Sequence, residues 1–389
     1  MTRPLYTTMQ MLAKLVAFDT TSRFSNLSMI NFIADYLGQY GIESHLTHDE
    51  NEDKASLFAS IGPAGGGIAL SGHTDVVPVD GQEWTSDPFS LSQRGDRLFG
   101  RGTCDMKLFI AAVLAMVPHL VERELKIPVH LAFSYDEEVG GVGVRPMIAR
   151  FGDDLPMPRI VIVGEPTGMK IVNCHKGMNA FKTVVSGLEA HSSNPHQGVN
   201  AIMIAARLIA ELDRIAEEMR ERGDGGGRFS PPFTSINVGT ISGGTALNII
   251  PRTCSFEWEF RNLPGQDRQE IPARLDKFAA GKLLPAMRKI SPQANIVTRF
   301  VSGFPDFAPE EGSLAETLVK RLLKSNQTGS ASYATEAGLF QGAGAPTVLC
   351  GPGDVAQAHQ QDEFITLEQI AACERFLHNL ADYAAGNDT

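Results

Sequence analysis

Five polar residues of the types that bind divalent metal ions stand at comparable places in the chain. Four of them follow short apolar segments rich in Val, Ile and Leu, and one follows the turn GRGTC. They are His73, Asp105, Glu138, Glu165 and His359. Two imidazoles and three carboxylates form a donor set that suits zinc, cobalt or manganese. Two such ions, about 3.5–4 Å apart, can share one bridging carboxylate and one water. The set predicts a centre of two divalent metal ions, with zinc as the first candidate.

Glu137 and Glu138 are adjacent, and neighbouring side chains cannot easily point the same way. One of them can bind metal while the other faces a substrate. Three carboxylates offset three of the four metal charges, so a metal-bound water would ionise near neutral pH. A carboxylate that is not a ligand can accept the proton of this water and later return it. The residue types therefore indicate hydrolysis.

The segments before these residues indicate strands of a mostly parallel sheet. They are IALSG (68–72), VHLAFSY (129–135), IVIVG (160–164) and TVLCG (347–351). Near-continuous apolar runs are typical of strands buried on both faces. Open α/β sheets bind ligands at the carboxyl ends of their strands. A long helix is expected from Asp105 to Val121, capped by Thr103. We therefore expect an α/β domain with its chemistry at one edge of the sheet.

The middle of the chain has a different pattern. FKTVVSGLE (181–189), TSINVGTIS (234–242) and CSFEWEFRN (254–262) alternate between apolar and polar residues, as strands with one wet face do. Helices are expected at about 198–222 and 268–281. The pattern predicts a smaller α+β domain, an antiparallel sheet plus two helices, inserted at 178–290. The α/β domain is then discontinuous and covers 1–177 and 291–389.

Composition and charge argue against several functions. The 389 residues are 43% hydrophobic and 20% charged, with a formal net charge of −11. This charge disfavours a nucleic-acid or anionic-membrane partner. Five scattered cysteines without a CxxC pair argue against a disulfide framework. We find neither a signal peptide nor an apolar run of about 18 residues. A cytoplasmic protein that is not inserted in a membrane is expected.

Several motifs resemble those of the M20 family of co-catalytic metallopeptidases and amidohydrolases. They are SGHTDVVP (71–78), GRGTCDMK (100–107), DEEVGG (136–141), GEPT (164–167) and AHQQDE (358–363). Two more, AHSSNPHQGVNAI (190–202) and GGTALNIIP (243–251), resemble segments of the family's inserted dimerisation domain. Each motif is weak alone, but their joint occurrence in order along most of the chain is specific. The family usually has Gly after the Met-Lys pair of the GRGTCDMK motif, and here that position is Leu108. The difference removes no metal ligand.

The resemblance implies a role for each residue of the metal site. Asp105 resembles the ligand that bridges two metal ions. His73 and Glu165 would complete one metal site, and Glu138 and His359 would complete the other. The catalytic domain would thus hold two divalent ions, most simply Zn²⁺, with Co²⁺ or Mn²⁺ as alternatives.

The resemblance also implies roles around the metals. Glu137 would be the general base, and Asp75 would hydrogen-bond to His73 and fix its tautomer. His191 resembles a histidine that reaches across the family's homodimer to polarise the scissile carbonyl. Asn248 and Arg261 resemble residues that hold the substrate carboxylate, for which an Arg fork is suited.

Within the family, the segment SYATEAGLFQ (332–341) resembles the acetylornithine deacetylase branch. This resemblance implies that a metal-bound hydroxide hydrolyses N2-acetyl-L-ornithine to L-ornithine and acetate, a step of arginine biosynthesis. Glu336 is then a candidate for the surroundings of the substrate's side-chain ammonium. Succinyl-diaminopimelate desuccinylase, aminoacylase and metal dipeptidase activities remain alternatives of the same class.

Two other hypotheses, a non-catalytic binding protein and a thiol nucleophile, have less support in the sequence. A non-catalytic member that keeps the fold for dimeric binding should have lost ligands or the base, whereas this sequence keeps them all. Cys104 adjoins Asp105 and suggests a thiol nucleophile, but no Cys/His signature surrounds it.

Overall fold

A computed structural model describes residues 5–387. The helices, in chain order, are α1 (Thr8–Val16), α2 (Leu27–Gln39), α3 (Lys107–Val121), α4 (Val144–Ala149), α5 (Ala201–Arg222), α6 (Glu270–Phe278), α7 (Leu284–Ile290), α8 (Leu314–Leu323), α9 (Ala337–Gly342) and α10 (Leu367–Ala384). A 3₁₀ turn covers Pro195–Gln197, and a π-helical turn, Ala279–Leu283, joins α6 to α7. The strands, in chain order, are β1 (Ser44–His48), β2 (Ala55–Ile61), β3 (Ile68–His73), β4 (Ser92–Arg94), β5 (Arg97–Phe99), β6 (Val129–Ser134), β7 (Ile160–Pro166), β8 (Ile171–His175), β9 (Met178–Ser186), β10 (Ser235–Gly243), β11 (Thr253–Arg261), β12 (Asn295–Phe304), β13 (Thr328–Ala331), β14 (Thr347–Gly351) and β15 (Phe364–Thr366).

The chain divides into two compact units. The larger unit comprises the chain up to Cys174, the segment Pro309–Gly329 and the chain from Thr335 onward. The smaller unit comprises His175–Ala308 and Ser330–Ala334. The division differs from the boundary expected at 290/291, because β12 pairs along its length with β9 and keeps the residues up to Ala308 in the smaller unit. The sequence pattern of β12 does not reveal which sheet offers it a partner.

The larger sheet confirms the prediction of a mostly parallel α/β core. Its strand order is β1-β2-β6-β3-β7-β14-β8-β13. The central strands β6, β3, β7 and β14 are parallel neighbours. Antiparallel pairings flank them on either side. Since parallel strands end at the same edge, the polar residues that follow them are brought to one edge of the sheet.

The helix α3 is the central helix of the larger unit. It is apolar on nearly every face, which is typical of a helix buried on all sides, and it packs against α1, α10 and the sheet. Leu108 is fully buried in this core. The helix begins at Lys107 and not at Asp105 as expected, because Met106 has a non-helical backbone. Asp105 therefore lies in the turn ahead of α3, and the hydroxyl of Thr103 donates to the carbonyl of Gly100 and does not cap the helix.

Close packing of α3 on β7 requires a glycine directly before Glu165. A Cβ atom on Gly164 would lie 2.1 Å from the ring of Phe109. Any larger residue there would push α3 away from the sheet, so the glycine of the GEPT motif sets the depth at which Glu165 lies.

The smaller unit is an antiparallel sheet with helices on it, as predicted. The strand order is β10-β11-β9-β12. Alternate residues of β11, among them Phe256, Trp258 and Phe260, are buried. They form a separate core with the inward face of α5. The helix expected near 268–281 is α6, which continues through the π-helical turn into α7.

A third sheet, β15-β5-β4, lies in the larger unit. Phe364 of β15 is paired with Phe99 of β5. This register brings the segment that follows the AHQQDE motif beside the segment that precedes GRGTC. Among residues 5–387, no helix has the length and apolar character needed to cross a membrane.

Candidate metal centre and active site

The carboxylate of Asp105 lies between two imidazole rings. Its Oδ1 is 3.0 Å from Nε2 of His73, and its Oδ2 is 3.3 Å from Nε2 of His359. Each ring also approaches a glutamate. Nε2 of His359 is 3.0 Å from Oε1 of Glu138, and Nε2 of His73 is 3.9 Å from Oε1 of Glu165. One carboxylate with an oxygen toward each of two His–Glu pairs is the arrangement that a bridging ligand needs.

The five predicted ligands and the predicted base come together in the structure. Ligand atoms of His73, Glu137 and Glu165 all lie within 4.8 Å of one another. The same holds for His73, Asp105 and Glu138. The donor set of imidazole nitrogens and carboxylate oxygens fits zinc, cobalt or manganese. The residues therefore fit a pair of divalent cations, as the sequence indicated.

The electrostatics of the cluster also fit bound cations. Burial, followed by the charge of neighbouring carboxylates, raises the pKa values of Glu137 and Glu165 well above their usual range. The pKa of Glu138 is raised by burial and by Asp105. Burial would also raise the pKa of Asp105, but hydrogen bonds to His359 and His73 outweigh burial and lower it. Ionising several buried carboxyl groups this close together costs free energy. Divalent cations bound between them would lower that cost.

The tautomer of His73 is set by a backbone group. Its Nδ1 donates to the carbonyl oxygen of Asp75 over 2.9 Å, so Nε2 is the nitrogen that faces the carboxylates. We expected this contact from the Asp75 side chain, but the nearest carboxylate oxygen is 3.6 Å from Nδ1, beyond hydrogen-bond distance. Asp75 is therefore the hydrogen-bond partner of His73, but through its backbone carbonyl and not through its carboxylate.

The carboxylate of Asp75 has different partners. Oδ1 accepts the backbone N–H of Glu137 at 3.0 Å, and Oδ2 accepts that of Glu138 at 3.2 Å. The hydroxyl of Ser22 donates to Oδ2 at 2.7 Å. Asp75 is 2% exposed, so these hydrogen bonds are shielded from water. The side chain therefore fixes the backbone of the turn that carries both glutamates.

Glu336 is buried, whereas a residue that contacts the ammonium group of a substrate must be accessible from the active site. Its side chain is 1% exposed. One carboxylate oxygen accepts from the hydroxyl of Ser134, and the other lies 3.4 Å from the hydroxyl of Ser71. Burial raises the pKa of Glu336 to about 7. In this structure the carboxylate binds two neighbouring strands, β3 and β6, from inside the core.

Cys104 does not have the surroundings of a reactive thiol. It is 1% exposed, and its Sγ donates to the carbonyl of Asp354. Burial and the nearby carboxylates of Glu363 and Asp105 raise the pKa of the thiol. A reactive cysteine needs a lowered pKa and access to substrate, so the expectation against a thiol nucleophile agrees with its environment.

His191 and Asn248 lie at one end of the sheet in the smaller unit. His191 is exposed and bridges to Ile249, and the carbonyl of Asn248 accepts the N–H of Ser192. Nδ1 of His191 accepts the backbone N–H of Ser193 at 3.2 Å. The proton of the neutral ring therefore resides on Nε2, which is free to donate to a carbonyl oxygen.

Arg261 lies at the opposite end of β11 from these two residues. It is the last residue of the nine-residue strand that Thr253 begins. At 3.4 Å per residue the ends of this strand are about 27 Å apart. The guanidinium of Arg261 donates to Glu259, with distances of 3.3 and 3.2 Å. Within one smaller unit, Arg261 and Asn248 therefore do not meet, although the family resemblance implies that both hold the substrate carboxylate.

Two residues that support the site, Lys54 and Glu363, were not predicted from the sequence. Lys54 forms a salt bridge of 2.6 Å with Asp136, the first acid of the triplet. Glu363 accepts the backbone N–H groups of Cys104 and Asp105. A signal for Glu363 existed, since it ends the AHQQDE motif, but the motif alone does not show what its carboxylate holds.

The fold and the site together define a metal-dependent hydrolase, and comparison with known proteins identifies its family. Residues 69–383 match the model of Peptidase family M20/M25/M40. The chain belongs to this family.

Similar proteins of known name cover nearly the whole chain. The acetylornithine deacetylase of Myxococcus xanthus is 34% identical over 389 aligned positions, 96% of this chain and 97% of that protein. The acetylornithine deacetylase of Photorhabdus laumondii is 32% identical over 369 positions, 94% of this chain and 93% of that protein.

Solved structures share the fold at lower identity. An M20 family metallo-carboxypeptidase from Sulfolobus solfataricus superimposes with a TM-score of 0.77, at 20% identity, covering 98% of this chain and 99% of that one. The aminopeptidase PepT from Bacillus cereus gives a TM-score of 0.72 at 18% identity, with 98% and 100% covered. These likenesses establish the architecture.

Proposed function

We propose that this hydrolase is an acetylornithine deacetylase, which converts N2-acetyl-L-ornithine and water to L-ornithine and acetate. The reaction class rests on one observation: one carboxylate oxygen of Asp105 approaches His73 and the other approaches His359. The substrate rests on similarity to relatives named acetylornithine deacetylase, at 32 to 34% identity over most of the chain.

The proposed ligands form two sets that share Asp105. His73 and Glu165 belong to one set, and Glu138 and His359 belong to the other. When bound, two divalent ions, most simply Zn²⁺, would lower the pKa of a water and polarise the amide carbonyl.

Glu137 is the proposed general base. It is buried, and its backbone is held by Asp75, so its carboxylate has a defined position. A carboxylate that is not a metal ligand can take a proton from water and return it to the leaving amine nitrogen. The two steps leave Glu137 unchanged, with one proton moved from water to the amine.

A homodimer is part of the proposal. Strand β10 is at an edge of its sheet, and the adjoining surface exposes Ile241, Leu247 and Met203. Edge strands and contiguous apolar surface are typical of protein–protein contacts. The separation of Asn248, which precedes β11, from Arg261, which ends it, also favours a second copy, since one smaller unit cannot place both on a single carboxylate.

The test is the release of L-ornithine from N2-acetyl-L-ornithine by the purified protein. It is measured with added Zn²⁺ or Co²⁺ and again after chelation. The same preparation is tested on N-succinyl-diaminopimelate, other N-acetyl amino acids and dipeptides. Metal-dependent release with a preference for N2-acetyl-L-ornithine supports the proposal. Metal-dependent hydrolysis that prefers another substrate keeps the reaction class and overturns the substrate.

A further inference from the structure

A buried ion pair joins the loop of Asp105 to the loop of His359. Nη1 of Arg101 is 2.8 Å from Oε2 of Glu363, and both side chains are 1% exposed. Burying two charges costs free energy unless their remaining donors and acceptors are satisfied. The hydrogen bonds of this pair therefore indicate what it holds in place.

Glu363 holds the backbone of the Asp105 loop. Its Oε1 accepts the N–H of Cys104 at 2.8 Å and that of Asp105 at 3.1 Å. Its Oε2 accepts the N–H of Gly102 at 3.1 Å. The pairing of β15 with β5 delivers Glu363 to this position, where its own carbonyl accepts from Gly100.

Arg101 holds the backbone of the His359 loop. Nη1 donates to the carbonyl of Gln360 at 3.2 Å, and Nη2 donates to the side-chain oxygen of Gln82. The amide nitrogen of Gln82 in turn donates to the carbonyl of His359 at 2.8 Å. One guanidinium therefore restrains the carbonyls of two consecutive residues. It binds the carbonyl of Gln360 directly and that of His359 through Gln82.

The two histidines of the centre depend on this pair unequally. His73 ends strand β3 and is fixed by sheet hydrogen bonds and by the carbonyl of Asp75. His359 lies in a loop between β14 and β15, with a left-handed backbone of φ 61°. Loop residues take their positions from such anchors, because no ladder of hydrogen bonds fixes them.

We propose that the Arg101–Glu363 pair is a positioning device that sets the separation of Asp105 from His359, and thereby the affinity of the metal site completed by Glu138 and His359. The site completed by His73 and Glu165 shares Asp105 and also depends on the pair, but to a smaller extent, because His73 is fixed by strand β3 and the carbonyl of Asp75. The inference rests on the ligand roles proposed above for Asp105 and His359.

The test measures two successive Co²⁺ dissociation constants of the metal-free full-length protein by calorimetry, with the visible absorption of bound Co²⁺ as a second readout. Glu363→Gln keeps the shape of the side chain but places an amide N–H₂ where one acceptor is needed. Arg101→Lys keeps the charge but cannot reach Gln360, Gln82 and Glu363 together. Replacing groups that orient metal ligands typically costs about 10–100-fold in metal affinity. We expect a loss of this size at the His359 site and a smaller loss at the other site, which shares Asp105.

Three further variants make the outcome unambiguous. His359→Ala identifies which dissociation constant belongs to the His359 site. Arg123→Lys is the matched control, since Arg123 pairs with Asp382 on the surface, and it should change neither constant. Gln82→Ala removes the link to the carbonyl of His359 and one acceptor of Arg101. It leaves the ion pair with Glu363 and the hydrogen bond to Gln360 in place. Gln82 is partly buried and can be replaced without opening the core, so we expect a smaller shift at the same site.

Two results would overturn the inference and can be told apart. If His359→Ala abolishes one site while Glu363→Gln, Arg101→Lys and Gln82→Ala leave its constant unchanged or shift both constants equally, the pair has no selective positioning role. If His359→Ala leaves both constants intact, the proposed ligand assignment fails, and the inference fails with it.

Discussion

The carboxylate of Asp75 accepts the backbone N–H of Glu137 at 3.0 Å, so a residue just after strand β3 fixes the turn that follows strand β6. The same carboxylate accepts the N–H of Glu138. One buried side chain thus aligns the proposed base and a proposed metal ligand together. The alignment depends on two acceptor oxygens, which only a carboxylate supplies at this position.

Replacing Asp75 with Asn should lower activity mainly through kcat. The amide has one acceptor oxygen, so one of the two backbone N–H groups loses its partner inside the protein. An unsatisfied buried donor costs about 1–3 kcal/mol of unfolding free energy. The loss of orientation should lower kcat by about 10–100-fold.

The matched control for Asp75→Asn is Ser22→Ala. It removes only the hydroxyl that donates to Asp75 and should lower kcat far less. Steady-state kinetics and urea unfolding on the same preparations check both effects. An Asp75→Asn enzyme with wild-type kcat would show that the backbone clamp is not needed for catalysis.

Glu137 and Glu138 are neighbours, and we expect their substitutions to give different results. Glu137→Gln should lower kcat by about 10²–10⁴-fold, the usual contribution of a positioned acid or base, and should retain two bound metal ions. Glu138→Gln should lose metal from one site. Metal content by elemental analysis, together with kcat, distinguishes them.

Glu124→Gln changes an exposed acid of the same unit and should alter neither quantity. Turnover near the wild-type value in Glu137→Gln would remove Glu137 from the role of base.

The order of apolar runs and polar residues was enough to predict that the proposed ligands lie close together. Strand ends can be located from apolar segments such as IVIVG, and in a parallel sheet the residues at those ends must meet. His73, Glu165 and His359 were found by this reasoning alone. The family resemblance then assigned the roles that residue type leaves open, as between Glu137 and Glu138.

Features that depend on long-range packing could not be predicted. The sequence does not show that the Asp75 carboxylate accepts backbone N–H groups, while the backbone carbonyl of Asp75 binds His73. It does not show that Glu336 turns inward to Ser134 and Ser71. The boundary expected at 290/291 differs from the division of the structure for the same reason, because an amphipathic strand such as β12 joins whichever sheet edge is near it in three dimensions.

A buried histidine away from the metals should make stability depend on pH. His130 is 1% exposed, its Nδ1 lies 2.8 Å from the Ser60 hydroxyl, and its ring stacks on Phe58. Burial lowers the pKa of His130 to about 4. The folded protein therefore favours neutral His130, whereas the unfolded chain binds the proton near pH 6.5.

The stabilising contribution of neutral His130 is complete above about pH 6.5 and is lost as the pH falls toward about 4, a total of about 3 kcal/mol. His130→Phe, which can still pack on Phe58, should flatten this part of the stability profile. The measurement is urea unfolding of metal-free protein from pH 7 to pH 4.5. His48→Phe, at an exposed histidine, should leave the profile unchanged. Equal slopes in His130→Phe and the wild type would contradict the prediction.

If His191 acts in the active site of a second copy, two inactive variants should restore activity when they form a mixed dimer. Its Nε2–H is available because Nδ1 accepts from Ser193. In a mixed dimer of Glu137→Gln and His191→Ala, one site has Glu137 from one copy and His191 from the other. The opposite site lacks both. Random exchange yields about half mixed dimers, so activity should recover to about a quarter of the wild-type value.

Subunit exchange is confirmed by copurification of differently tagged chains, and ornithine release is measured before and after mixing. The double variant Glu137→Gln/His191→Ala mixed with either single variant is the control, since no dimer formed from it has an intact site, and it should stay inactive. Mixed dimers without activity would place His191 in the site of its own chain. They would also remove the argument that the separation of Asn248 from Arg261 reflects two copies that share one substrate.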